Sequence, residues 1–275
     1  MLTYHDRLQL GAVWMLSSLA VAFNLYLIVA IVLRTPKQLR TYAVFLFYNA
    51  TIDLASATVS VLGSVSDNFA ALHTNFVQQS LVIILLSFAY HLYLLGDVFG
   101  GRPAKSPFQM GLLCMLSFLP LMLPTTVNYI EQTSVSQKLI SRLHLKGYVT
   151  AISAFPIFFS PRAIILNIFI CVFSPLVMTF IFIVRRKLIM RIEQAVSINT
   201  KSRNYFFQAL TYQMLLPCGV AIGAALWLCD LTLIWSSEIA ERCMMITYSL
   251  FSLASPIINL TVLPPYRAML PQIFR

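Results

Sequence analysis

The sequence predicts an all-α membrane protein, a seven-transmembrane helix bundle with its N-terminus outside and its C-terminus cytoplasmic. Three observations carry that expectation: an apolar composition, apolar runs of membrane-crossing length, and cations gathered in alternate loops. Of the 275 residues, 59% are apolar and 10% charged, with a mean hydropathy of +0.81. A soluble domain is about half apolar and about a quarter charged. Crossing a bilayer as a helix takes about 20 mostly apolar residues, because no water at that depth can satisfy a bare backbone N–H or C=O.

Seven such runs are legible, forming a single domain over 1–275. Span one covers about 11–33 and is followed by Arg34 and Lys37. That flank, with no small-residue cleavage site, makes it an anchor and not a removed signal peptide. Span two, 42–65, opens just after Arg40 and carries a single carboxylate, Asp53. Span three, 69–95, has a more polar first half containing His73, Asn75, Gln78 and Gln79. Spans four to seven cover about 109–129, 164–184, 206–235 and 243–263. Each contains proline: Pro120 and Pro124, Pro175, Pro217 and Pro256. Proline removes a backbone donor and favours a bend. Pro217 is the candidate pivot of span six, with a static kink as the alternative reading.

Orientation follows from the cations, which stay on the cytoplasmic side of short loops. Arg34, Lys37 and Arg40 follow span one, and Arg102 and Lys105 follow span three. Arg185, Arg186, Lys187, Arg191, Lys201 and Arg203 follow span five, and Arg267 and Arg275 follow span seven, opposed only by Asp97 and Glu193. In the other loops six cations face five acids, so their charge nearly cancels. The net charge of +10 therefore sits mainly on one face, where the anionic surface of a lipid bilayer attracts it by about 1 kcal/mol per cation. No groove-like interleaving of aromatic and basic residues points to nucleic acid.

The five cysteines, Cys114, Cys171, Cys218, Cys229 and Cys243, lie in or beside spans without metal-ligand spacing, and read as small buried residues. No cofactor motif is present. The loop over 130–162 has no cysteine that could pin it to span three. The triplets Asn49-Ala50-Thr51 and Asn259-Leu260-Thr261 fall inside spans, out of reach of glycosylation.

An ionisable side chain at mid-bilayer costs ~2.5–3.5 kcal/mol or more, so it should face the bundle interior and find partners. Asn49, Asp53, Ser56 and Ser60 recur at spacings of three and four, one face of a helix. Depth counted at about 1.5 Å per residue brings Asn24, Ser252 and Ser255 to the level of Asp53, with Asn259 lower. These six residues, Asn24, Asn49, Asp53, Ser252, Ser255 and Asn259, are expected to form one polar network joining spans one, two and seven. It serves either as interhelical glue worth about 0.6–2 kcal/mol per bond or as a site that titrates or binds an ion during switching. Asp230, near Trp227 at the outer end of span six, either meets a cationic ligand, or reaches solvent or pairs with Arg242. The polar first half of span three either lines a cavity or packs beneath the outer loop.

Four segments resemble nematode serpentine chemoreceptors of class delta (Srd), in the G-protein-coupled receptor superfamily. They are Thr35-Pro36-Lys37-Gln38-Leu39-Arg40-Thr41-Tyr42-Ala43, Leu85-Leu86-Ser87-Phe88-Ala89-Tyr90, Ala209-Leu210-Thr211 through Leu216-Pro217, and Ser255-Pro256 through Pro265-Tyr266-Arg267. Two features depart from that pattern. The connection from Ser64 to Ala70 is short and lacks the family's cysteine, and His91 follows Tyr90 where relatives resemble Tyr-Arg. Neutral His offers one donor where Arg offers a permanent charge and a planar set of donors.

The resemblance implies a chemosensory receptor in the plasma membrane of sensory neurons, taking a small-molecule ligand and a heterotrimeric G protein as partners. His73, Asn75, Gln78, Trp227 and Asp230 would meet the ligand in an outer cavity. Tyr90, His91, Arg185, Arg186, Lys187 and Arg203 would form the coupling face, with Pro217 as pivot. The alternatives are a non-signalling degenerate receptor form and a small transporter or channel. A transporter would commonly show internal repeats and broken helices, and a filter a ring of carbonyls or charges, which an oligomer could build from Asp53. An enzyme is disfavoured because His5, His73, His91 and His144 lie in separate loops and spans.

Overall fold

The structure, a computed structural model, describes residues 4–36, 39–63, 68–97, 106–122, 126, 161–194, 212, 215–231 and 238–269. The expected loop over 130–160, the 64–67 connection, Lys201 and Arg203 lie outside the described residues. Eight helices are present among them: α1 (Tyr4–Arg34), α2 (Arg40–Gly63), α3 (Asn68–Asp97), α4 (Pro107–Leu116), α5 (Pro161–Gln194), α6 (Leu215–Leu231), α7 (Glu238–Val262) and α8 (Pro264–Arg267). Among the described residues three stretches, Arg7–Arg34, Arg40–Leu62 and Asn75–Tyr93, are both long and apolar enough to cross a membrane. Large apolar side chains stand exposed on the outside, among them Phe108 at 79% and Val32 at 69%. Water would penalise such a surface, whereas hydrocarbon tails accept it. This is an all-α, membrane-embedded protein.

Helix ends differ from the hydropathy boundaries for physical reasons. Hydropathy marks where hydrocarbon stops, but backbone hydrogen bonding continues into water. α5 therefore runs past residue 184 through Arg185, Arg186, Lys187 and Arg191. It opens with Pro161 at its first position, where a missing N–H costs nothing. α4 opens on a capping box: Ser106 Oγ accepts from the Gln109 N–H at 3.3 Å, and Gln109 Oε1 accepts from the Ser106 N–H at 3.2 Å. Its regular part closes at Leu116, four residues before Pro120. There the chain tightens, with the Phe118 N–H reaching back only three residues to the Met115 carbonyl.

The helices close a ring in the order α1, α2, α3, α5, α6, α7 and back to α1, with α4 outside against α2 and α8 against α1 and α7. Direction can be read from paired side chains. Ser17 meets Ser249 and Asn24 meets Ser252, so residue numbers rise together and α1 and α7 are parallel. Asp53 meets Ser80 whereas Phe45 meets Tyr90, so α2 and α3 are antiparallel.

Three apolar clusters hold the ring. One joins α3 and α5 through Leu81, Ile84, Phe88, Val177, Ile181 and Leu188. A second joins α1, α2 and the α7–α8 corner through Leu27, Ile31, Leu46, Leu260 and Tyr266. The third packs α4 on α2 and α3 through Phe45, Ile83, Tyr90, Met110 and Cys114. Between them runs a buried polar seam.

Candidate functional site: the polar junction at the centre of the bundle

The seam begins on α2, whose stripe of Asn49, Asp53 and Ser56 faces inward, all buried. Asn49 donates one amide hydrogen to Asp53 Oδ2 at 2.9 Å and the other to Ser255 Oγ of α7 at 3.2 Å. Ser80 Oγ of α3 lies 3.0 Å from Asn49 Oδ1 and 3.1 Å from Asp53 Oδ1. A hydroxyl has one proton, so Ser80 serves one of these acceptors at a time. α2, α3 and α7 are thus tied at one level around a carboxylate whose described partners are neutral. Such a junction can exchange partners without breaking an ion pair.

α1 joins through a different device. Pro256 sits inside α7 and has no N–H, so the carbonyl of Ser252, four residues earlier, lacks its helical donor. Asn24 Nδ2 supplies one from α1 at 3.3 Å, while also donating to Ala20 of its own helix at 2.9 Å. One level away, Ser17 Oγ lies 3.2 Å from Ser60 Oγ and 3.4 Å from Ser249 Oγ. Asn259, a turn beyond Pro256, donates to the Ser255 carbonyl at 3.0 Å.

Free space adjoins the junction on both sides. A cavity of about 30 Å³ is bounded by Asp53, Ser56, Ser80, Phe251, Ser252 and Ser255. Ser56 Oγ is buried there without a hydrogen-bond partner. A second cavity of about 20 Å³ lies past Asn49, beside Tyr42, Ser87 and Asn259. Either holds a water-sized guest, for which ~10–15 Å³ suffices.

The structure thus brings together Asn24, Asn49, Asp53, Ser252 and Ser255, with Asn259 one step away. It adds two residues that the sequence reading missed, Ser80 and Ser17. A neutral serine is cheap to bury, and Ser80 is followed by the apolar run Leu81-Val82-Ile83-Ile84. Only the pairing of α2 with α3 reveals it.

The polar half of α3 is arranged differently. Asn75 Nδ2 donates to the Leu121 carbonyl at 2.9 Å, and Gln79 Nε2 donates to Ser117 Oγ at 2.6 Å. Ser117 passes its own proton to the Cys114 carbonyl at 2.7 Å. These two side chains hold the irregular turn that follows α4, so they pack against α4, where the sequence suggested a cavity wall or the underside of the outer loop. Gln78 is buried with Nε2 unpartnered, and His73 is half-buried. Trp227 and Asp230 lie on the last turns of α6; their side chains are outside the described residues.

At the basic end, Tyr90 and His91 are buried. The His91 ring lies against Tyr42, with centroids 4.8 Å apart, and Tyr90 against Phe45 at 5.5 Å. Arg185 is half-buried, Arg186 and Lys187 are exposed, and Pro217 is buried on the first described turn of α6. Tyr266 of α8 packs under α1, its hydroxyl 3.1 Å from Thr35 Oγ1. Burial pushes this phenol above its ordinary pKa. Among the described residues no group of three His, Cys, Asp or Glu side chains is placed to hold a metal ion.

The family model described as serpentine type 7TM GPCR chemoreceptor Srd matches residues 11–65 and 68–272. The match breaks at 66–67, within the short connection between α2 and α3. No curated protein matches the chain.

Proposed function

Because the chain belongs to the Srd family of serpentine seven-transmembrane chemoreceptors, we propose that it is a chemosensory G-protein-coupled receptor of the plasma membrane. It takes a small ligand at the end of the bundle opposite the basic segments and signals to a heterotrimeric G protein at the basic end. The family's seven spans, N-terminus outside, follow from this reading, with Arg34, Arg40, Arg185, Arg186, Lys187 and Arg267 held cytoplasmic. Sensory neurons are the cells in which such a receptor acts.

The observation that carries the switching part of this reading is the Asn49–Asp53–Ser80–Ser255 junction beside free space. Its hydrogen bonds have alternative partners within reach, so two bundle arrangements can lie close in free energy. A ligand that binds one of them better shifts the population by its differential affinity and by no more. His73, Asn75, Gln78, Trp227 and Asp230 are the residues proposed to feel the ligand. The buried state of Tyr90 and His91 supports a resting arrangement in which the coupling face is closed. Movement of α6 about Pro217 would uncover them beside Arg185, Arg186, Lys187 and Arg203.

The experiment is G-protein activation over a panel of volatile and small metabolic compounds, with tagged receptor at the cell surface quantified in the same cells. A ligand-dependent response with wild-type protein at the surface supports the reading. Surface protein that responds to nothing but carries solute flux in reconstituted vesicles overturns it.

A further inference from the structure

Gly219 is buried on α6, two residues past Pro217, and the place a β-carbon would occupy there is filled by the ring of Phe251 from α7. Other glycines contrast with it: Gly11 has nothing nearby, and Gly111 meets only Val44 Cγ1 at 3.9 Å. The glycine is a notch, and the aromatic ring is seated in it. Even alanine at 219 would force the ring or the helix to move.

The same ring has two further sets of neighbours. It borders the cavity at Asp53, together with Val220 of α6. It also packs on the α3–α5 cluster of Leu81, Ile84, Val177 and Ile181. In sequence it precedes Ser252, whose carbonyl receives Asn24. A displacement of α6 that closes or vacates the notch must therefore move the wall of the Asp53 cavity, because close-packed interiors do not leave a ring unsupported.

We infer that Phe251, seated in the Gly219 notch, is the positioning residue that couples the placement of α6 to the Asp53 junction. The pivot and the polar network are then one mechanical unit. The signalling consequence rests on the receptor reading above, but the coupling itself does not.

Cys218, a free and half-buried thiol beside the notch, reports on α6 without any G protein. Its alkylation by N-ethylmaleimide is followed by mass spectrometry in the purified full-length protein. Gly219→Ala should accelerate alkylation about tenfold, and in a Phe251→Ala background the same change should have less than about a twofold effect. Asp53→Asn should likewise alter the Cys218 rate when Phe251 is present and leave it unaltered in Phe251→Ala. A Gly219→Ala effect of equal size with and without Phe251 overturns the inference, as does an Asp53→Asn effect that ignores Phe251. Should Gly219→Ala fail to fold, the Asp53→Asn and Phe251→Ala pair decides alone. A wild-type receptor that answers ligands while the Cys218 rates show no coupling defeats the inference and spares the receptor reading. The coupled Cys218 pattern in a protein that carries solute flux without G protein does the reverse.

Discussion

Asn24 of α1 donates to the carbonyl of Ser252 in α7 at 3.3 Å, the carbonyl that Pro256 leaves without its helical donor. The two parallel helices are therefore joined where one of them is chemically incomplete. Asn24→Leu removes the donor and strands that carbonyl, but it also deletes Asn24 Oδ1, which is itself buried without a partner. The expected loss of stability is about 1 kcal/mol. In a Pro256→Ala background residue 256 regains its N–H, so the same substitution should cost little. Melting of the four purified proteins in detergent measures this, and equal penalties in both backgrounds would refute the arrangement.

Asp53 accepts from Asn49 and Ser80 and has space on its other side. Leucine at 53 leaves one Asn49 amide hydrogen buried and unmatched at a cost of ~1–3 kcal/mol, while Ser80 keeps Asn49 Oδ1 as its acceptor. Asp53→Leu should thus fall to background at the cell surface. Asp53→Asn keeps an acceptor, and the Ser80 hydroxyl can rotate to meet the new amide, so surface expression should stay within about twofold of wild type. If the carboxylate matters for switching as well as for packing, Asp53→Asn changes the response per surface receptor. An unchanged response would leave interhelical glue as its role.

Asn75 and Gln79 hold the turn after α4 through the Leu121 carbonyl and Ser117 Oγ. Gln79→Leu should lower the melting temperature through the loss of about 1 kcal/mol, with the half-maximal ligand concentration unmoved. Gln78 lies on the same helix with its Nε2 buried and unpartnered. Gln78→Leu should instead shift the half-maximal concentration at unchanged stability. Opposite behaviour of the two glutamines would reverse these assignments.

Most of what was legible in the sequence concerned membrane embedding, because hydrocarbon imposes a length and a polarity that composition cannot hide. The mid-membrane residues were legible for the same reason: Asp53, Asn24 and Asn49 are costly to bury singly, so their partners could be sought by depth. Ser80 was not legible, since serine pays little for burial and announces nothing. Gly219 was silent for a related reason, as a glycine in an apolar helix has no side chain to pattern, and its meaning came only from the Phe251 ring. The α4 contacts of Asn75 and Gln79 were not legible, because a helix period shows which residues share a face but not which neighbour covers it. The stop of α4 before Pro120 was foreseeable as a bend, though not as the turn that Asn75 and Gln79 clamp.

The corner between α1 and α8 yields a prediction in which the sign of the pH effect can be worked out. Thr35 Oγ1 donates its only proton to the Ile31 carbonyl at 2.5 Å, so in the 3.1 Å contact with Tyr266 the phenol must be the donor. Tyr26 fixes the next residues by donating to the Met269 carbonyl at 2.6 Å. The Tyr266 phenol is raised above its ordinary value by burial, so the folded corner holds this proton more tightly than the unfolded chain does. Its contribution is complete below the unfolded phenol pKa of about 10 and is lost as pH rises from there through the higher folded value. Tyr266→Phe keeps the ring in its apolar cluster but removes the hydrogen bond, at an expected ~0.5–1.5 kcal/mol. Limited proteolysis of the segment after α8 should therefore be faster in Tyr266→Phe at neutral pH. Above about pH 10, wild type should converge on the variant as the phenol ionises. A wild-type rate that keeps its distance from Tyr266→Phe through the alkaline range would mean that Tyr266 is not the donor that pins the C-terminal segment to α1.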